Sequence, residues 1–156
     1  MIEIAVLGGG CFWQVEEAFR VLSGVIATEV GYMGGDFENP LHLDVCARIT
    51  GHAEVAKITF ETDQISYREI LLKFWSIHDP TTLNRQGPDR GEQYRSVIFF
   101  GSQAQQMEAE ASVKVAQQQF EQPIVTQIKA AKEFWPAKEE HQKYLFKKAQ
   151  KLSQLQ

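Results

Sequence analysis

The sequence predicts an α/β or α+β sandwich, a sheet with helices packed on it. Three observations lead there. Segments that alternate apolar and polar residues interleave with segments of helical spacing along the whole chain. The 156 residues suit a single hydrophobic core. No repeat, low-complexity tract or linker divides them, so residues 1–156 read as one domain. The pattern leaves the strand order open.

In chain order, residues 2–7 place Ile2, Ile4 and Val6 in alternation with Glu3 and its neighbours, then meet Gly8, Gly9 and Gly10: a strand entering a tight turn. From Phe12 the spacing becomes helical, with Val15, Phe19 and Leu22 on one side and Glu16 four residues from Arg20. Residues 25–32 and 53–60 read as strands, the second followed by a turn at Thr62 and Asp63. Ser66 with Glu69 forms a capping box for a helix that turns Ile70, Leu71, Phe74 and Trp75 inward. Ser102 with Gln105 repeats the device before a helix carrying Met107, Ala111 and Val115. Residues 96–100 and 124–128 supply further strands. Pro136 suits the first turn of a last helix carrying Tyr144 and Leu145.

Composition narrows the function. A net charge of -4 gives no electrostatic footprint for nucleic acid. No apolar run reaches the roughly 18 residues of a membrane span, and the N-terminus lacks the features of a signal peptide. Two cysteines, Cys11 and Cys46, make no disulfide framework, so a reduced, cytoplasmic protein is expected.

Chemistry concentrates at Gly10-Cys11-Phe12-Trp13. Cys11 stands where a glycine turn passes into a helix, and unpaired N–H groups with the helix dipole favour an anion there. Bringing such a thiol to half ionisation at neutral pH takes about 2 kcal/mol, which dipole and turn could largely supply. The same residue could also be a buried thiol packed as a small hydrophobe. Phe12 and Trp13 are about 100° apart on the helix, so both cannot face one core, and an aromatic wall beside a nucleophile suits a methyl group. Tyr32 in Gly31-Tyr32-Met33-Gly34-Gly35 offers a phenol, and Glu54 after Gly51-His52-Ala53 offers a carboxyl. Residues 86–96, with Asp89 and Tyr94, form a polar run. Taken singly, loop and strand-edge roles explain each.

Together these segments, with His78-Asp79-Pro80, Phe134-Trp135-Pro136-Ala137 and residues 141–145, resemble the A class of peptide methionine sulfoxide reductases in order and spacing, over roughly residues 2–146. The resemblance implies a two-layer sandwich, ferredoxin-like with a mixed sheet, and reduction of the S-epimer of methionine sulfoxide. It implies that Cys11 attacks sulfur while a neutral Glu54 protonates the oxygen, which Tyr32 and Tyr94 hold. Asp89 secures the surrounding loop and hydrogen bonds, and Phe12 and Trp13 take the methyl group. Oxygen leaves as water and Cys11 ends as a sulfenic acid. No metal or prosthetic group is implied. The reductant is an external thiol of thioredoxin or glutaredoxin type, and the enzyme is expected to be monomeric.

The chain departs from the family in three places. After Leu145 no cysteine follows, where many members carry resolving cysteines, so regeneration falls to an external thiol or to Cys46. The external thiol is favoured, because residues around Cys46 read as buried strand and the family's thiol there is usually structural. At Leu41-His42-Leu43 the family more often has a Thr-Tyr pair followed by an acid, and at Arg48 often glycine, which places the difference at the rim of the substrate groove. Three rival readings remain. One is a zinc site from His42, Cys46 and His52, although the paired ligand spacing is missing. Another is a non-catalytic pocket for oxidised methionine. The third is a Cys-His hydrolase using His52, His78 or His141.

Overall fold

The computed structural model describes residues 1–155. In chain order it comprises β1 (Ile2–Gly8), α1 (Phe12–Arg20), β2 (Val25–Met33), α2 (His42–Cys46), β3 (Ala53–Glu61), α3 (Tyr67–Ser76), β4 (Arg85–Gln86), β5 (Asp89–Arg90), β6 (Val97–Phe100), α4 (Gln103–Ala116), β7 (Gln127–Ala130), β8 (Trp135–Pro136) and α5 (Tyr144–Gln154).

Strands β6-β1-β3-β2 lie side by side, each antiparallel to its neighbour, and with α1 and α3 they make the βαββαβ succession of a ferredoxin-like sandwich. β7 adds parallel to β6 and β8 adds antiparallel to β2, which completes a mixed six-stranded sheet. β4 and β5 form a small hairpin outside it. No helix among the described residues is long and apolar enough to cross a membrane.

The helices cover one face. Ala5, Leu7, Ala56, Ile58, Phe60 and Ile98 of the sheet meet Val15 and Phe19 of α1 and Ile70, Leu71 and Phe74 of α3. Fully burying each large side chain contributes roughly 1.5–3 kcal/mol. The alternation of β1 therefore has the opposite sense from a simple apolar-in reading. Ala5 and Leu7 face the helices, while Ile2 and Ile4 are exposed on the other side and only Val6 there is covered, by the smaller cluster of Met33, Val55 and Phe99. Ala5 and Leu7 are fully buried there, so the face of β1 that the helices cover is set by the packing of the whole sheet and not by the polarity pattern of β1 alone.

The capping box at Ser66 and Glu69 forms as expected, with Glu69 N–H donating to Ser66 Oγ at 3.1 Å. At α4 only half of the device forms. Ser102 Oγ accepts from Gln105 N, but the Gln105 side chain goes to Gly101 N and Ile4 O instead. The buried side of α4 is Gln105, Ala109 and Ala116, and the expected residues Met107, Ala111 and Val115 face outward. A helix lying flat on a sheet is close-packed through small residues, which hydrophobicity alone does not reveal.

Four further expectations are corrected. β7 begins at Gln127, three residues later than the reading of 124–128. Pro136 lies in β8, and the last helix starts at Tyr144, after Lys143 in a left-handed conformation (φ 51°). Arg20 pairs with Glu17, because Glu16 is buried, accepting from Thr28 Oγ1 and Lys143 N at 2.7 Å each. Cys46 is not in a buried strand. It ends the short helix α2 and is exposed, since Val45 alone of that helix turns into the core.

Candidate active site

Gly10 (φ 97°) takes a backbone conformation that L side chains rarely adopt, and a Cβ there would come within 2.8 Å of Gln86. That turn sets Cys11 as the residue before α1, with its carbonyl accepting from Gln14 and Val15. The Cys11 thiol is half-buried. Burial pushes it up to about 11, the N–H of Trp13 pulls it down, and the charges of Glu54 and Asp89 push it further up. The expected lowering by the helix terminus is thus reversed. A nine-residue helix supplies the dipole, yet removing the thiolate from water outweighs it.

The alternation of β3 turns Glu54 towards the helix face, next beyond Ala56, and cross-strand pairing sets Tyr32 of β2 opposite Glu54. Both are 1% exposed. Glu54 Oε1 accepts from the N–H of Phe12 at 3.2 Å, and among the described residues Oε2 has no partner. Burial raises the Glu54 pKa to about 7, against the lowering effect of the Phe12 N–H, with Asp89 adding to the rise. With Oε1 taken by an N–H, the proton of the neutral acid belongs on Oε2.

Tyr94 follows from the polar run, in a single 3₁₀ turn (Glu92–Tyr94). Burial raises its pKa to about 12, and charges on Glu54, Cys46, Asp89 and Cys11 all reach it. One phenol therefore stands near both thiols and both acids. Asp89 contributes its charge to the site, but among the described residues its side chain makes no hydrogen bond that would secure the loop. Gln86 to Asp79, Arg48 to the Arg90 carbonyl and Gly91 N–H to the Asn84 carbonyl do that instead. The Tyr32 hydroxyl is likewise engaged, 3.2 Å from His42 Nδ1.

Phe12 is buried and Trp13 half-buried. The indole stacks on Tyr144 with 3.8 Å between ring centroids, and its N–H donates to His141 Nδ1 at 3.3 Å. Phe12 lies within 6.2 Å of the rings of Tyr32, His42 and His141. A groove of about 190 Å³ lined by Tyr32, Leu41, His42, Pro136, Glu140 and His141 opens beside these rings.

The other histidines hold structure. His52 Nδ1 accepts from Gly35 N and its Nε2 lies 2.7 Å from the Phe37 carbonyl, which folds the glycine turn after β2. His78 joins the Phe74 carbonyl to Ser96 Oγ, and burial lowers its pKa to about 4. Neither presents a free nitrogen to Cys11 as a hydrolase base would. Sequence reasoning overlooked Arg95, which spans the Glu92 and Gly51 carbonyls and fixes the entry to β3. It also overlooked the role of His141. His42 Nε2 also lies 3.5 Å from Cys46 Sγ, a contact that their i,i+4 spacing signals.

Residues 3–156 match the family described as peptide methionine sulfoxide reductase. The chain belongs to this family. It is 56% identical over 153 residues to peptide methionine sulfoxide reductase MsrA 1 of Nostoc sp., covering 96% of this chain and 93% of that protein. The MsrA of Methanothermobacter thermautotrophicus is 55% identical, with 93% and 87% covered. Among solved structures, reduced Mxr1 of Saccharomyces cerevisiae superposes with a TM-score of 0.91 at 35% identity, covering 96% of this chain and 87% of that one. Mxr1 has also been solved in complex with Trx2, and this chain matches that structure with a TM-score of 0.67 at 26% identity, covering 92% and 84%.

Proposed function

We propose that this reductase acts on the S-epimer of methionine sulfoxide, with Cys11 as nucleophile and Glu54 as proton donor. The reaction is the thiol-dependent reduction of methionine sulfoxide that serves protein repair, as expected of a member of this family. The observation that carries the residue assignment is a half-buried thiol next to a buried carboxyl whose pKa is raised to about 7 and whose Oε2 is unpartnered.

Water can leave only if the sulfoxide oxygen gains two protons, and the site can supply both. One comes from Cys11 and one from the Glu54 population that is protonated, about half of it at pH 7 and nearly all of it at pH 6. Cys11 Sγ bonds to the sulfoxide sulfur while the S–O bond breaks and the oxygen departs as water. A water then attacks Cys11 Sγ, the S–S bond breaks, methionine leaves with the electron pair, and Cys11 becomes a sulfenic acid. That water's two protons restore Glu54 and the new S–OH. The net change is reduction of methionine sulfoxide to methionine with oxidation of Cys11 from thiol to sulfenic acid. Tyr32 and Tyr94 hold the oxygen as charge develops on it, Asp89 tunes the site through its charge, and Phe12 with Trp13 takes the methyl group.

A dithiol protein of thioredoxin or glutaredoxin type then reduces the sulfenic acid, releasing water. The solved complex of the related Mxr1 with Trx2 supports that donor class. We assign the enzyme to the cytoplasm as a monomer of one domain over residues 1–156, acting without metal or prosthetic group on protein-bound or free substrate. Turnover of S- and R-sulfoxides with dithiothreitol as reductant tests the reading: reduction of the S-epimer alone is expected, and reduction of neither, or of R alone, would overturn it.

A further inference from the structure

His42 and Cys46 stand one helical turn apart on α2 and share a face. His42 Nε2 lies 3.5 Å from Cys46 Sγ, and its Nδ1 lies 3.2 Å from Tyr32 Oη. One imidazole therefore bridges an exposed thiol and a buried phenol that sits directly across from Glu54. Burial lowers the His42 pKa, the nearby His141 lowers it further, and Glu140 opposes them. Burial and the charge of Glu54 raise that of Cys46. At neutral pH both groups are uncharged.

A neutral imidazole carries one ring proton, and its two tautomers do different things to Tyr32. With Nδ1 bare, the ring accepts the phenol hydrogen and draws it away from the site. With Nε2 bare, the ring accepts the thiol hydrogen of Cys46, and Nδ1–H donates to Tyr32 Oη. The phenol hydrogen is then free to point at another acceptor.

We propose that Cys46 and His42 are positioning residues which fix this second tautomer, so that Tyr32 presents its hydrogen to the sulfoxide oxygen. The order of donation is Cys46 S–H to His42 Nε2, His42 Nδ1–H to Tyr32 Oη, and Tyr32 O–H to substrate. No bond to hydrogen breaks; the relay sets direction only. It rests on the reading of Tyr32 as an oxygen-holding residue.

The test uses the full chain with an S-sulfoxide substrate and dithiothreitol. Tyr32→Phe should lose about 10²-fold in kcat, the scale of one oxyanion donor. Cys46→Ala should lose about tenfold in kcat with KM within about twofold, because it misdirects that donor without removing it. Cys46→Ser should restore the rate, since a hydroxyl also donates to Nε2, and Cys46→Ala should add nothing in the Tyr32→Phe background. The ¹⁵N shifts of His42 should report the Nδ1–H tautomer in wild type. A Cys46→Ala rate equal to wild type, an additive double variant or an Nε2–H tautomer would overturn the relay while leaving the Tyr32 reading intact. A fully active Tyr32→Phe would instead remove that reading itself.

Discussion

Glu54 and Cys11 hold their protons to higher pH than usual for the same reason: burial costs an anion more than nearby N–H groups return. With the folded pKa of Glu54 at about 7, the proton donor is present below that pH and lost above it. Its negative charge then also opposes ionisation of Cys11. The single-turnover rate is therefore expected to be flat below about pH 6 and to fall through pH 7–8, with a rise towards pH 9 as the contrary result. Replacing Glu54 with Gln should cost ~10²-fold or more in rate, as for a positioned general acid. The sign for stability is opposite. A carboxyl whose pKa rises from 4.5 to about 7 on folding destabilises the fold as pH climbs between those values, by roughly 3 kcal/mol in all. Thermal unfolding at pH 8 should thus find Glu54→Gln more stable than wild type, with the gain vanishing near pH 4. Cys11→Ser should abolish reduction and leave the unfolding temperature unchanged or slightly raised, since serine is a favoured residue at that helix terminus.

At the scale of elements, one buried carboxylate links three of them. Glu16 on α1 receives the hydroxyl of Thr28 on β2 and the N–H of Lys143 just before α5. Tyr144, the next residue, stacks on Trp13. Glu16→Ala would leave the Lys143 N–H without an acceptor, a loss of about 1–3 kcal/mol, and would free α5 from α1. The expected signature is lower stability together with a change in Trp13 fluorescence and a raised KM, measured with Trp75 and Trp135 replaced. An unchanged KM would detach α5 from the substrate wall. None of this shows in the sequence, where Glu16 and Arg20 fit an ordinary surface pair.

For the whole molecule, the two cysteines set how the cycle closes. Cys46 is exposed, so burial does not keep it out of the cycle, and a single turnover decides whether it takes part. One turnover without reductant should leave Cys11 as a sulfenic acid that dimedone tags, with Cys46 still titrating as a free thiol. Mass spectrometry decides this. A loss of two hydrogens with no dimedone adduct would make Cys46 the resolving residue.

Periodicity, caps and turn glycines act within a few residues, and they sufficed to locate β1, β2, β3, β6, α1 and α3 and to single out Cys11. Tyr32, Glu54 and Tyr94 gained their expected roles only from the resemblance of several segments together. Quantities that depend on distant packing lay beyond such local patterns. Which face of β1 meets the helices, where α5 begins and what buries Glu16 all depend on residues far off in the chain. The same holds for the thiol of Cys11. Its helix terminus is written locally, but the desolvation that overrides the dipole comes from packing with Phe12, Val30 and Tyr32, and the charges of Glu54 and Asp89 add to it, all brought together only by the closed fold.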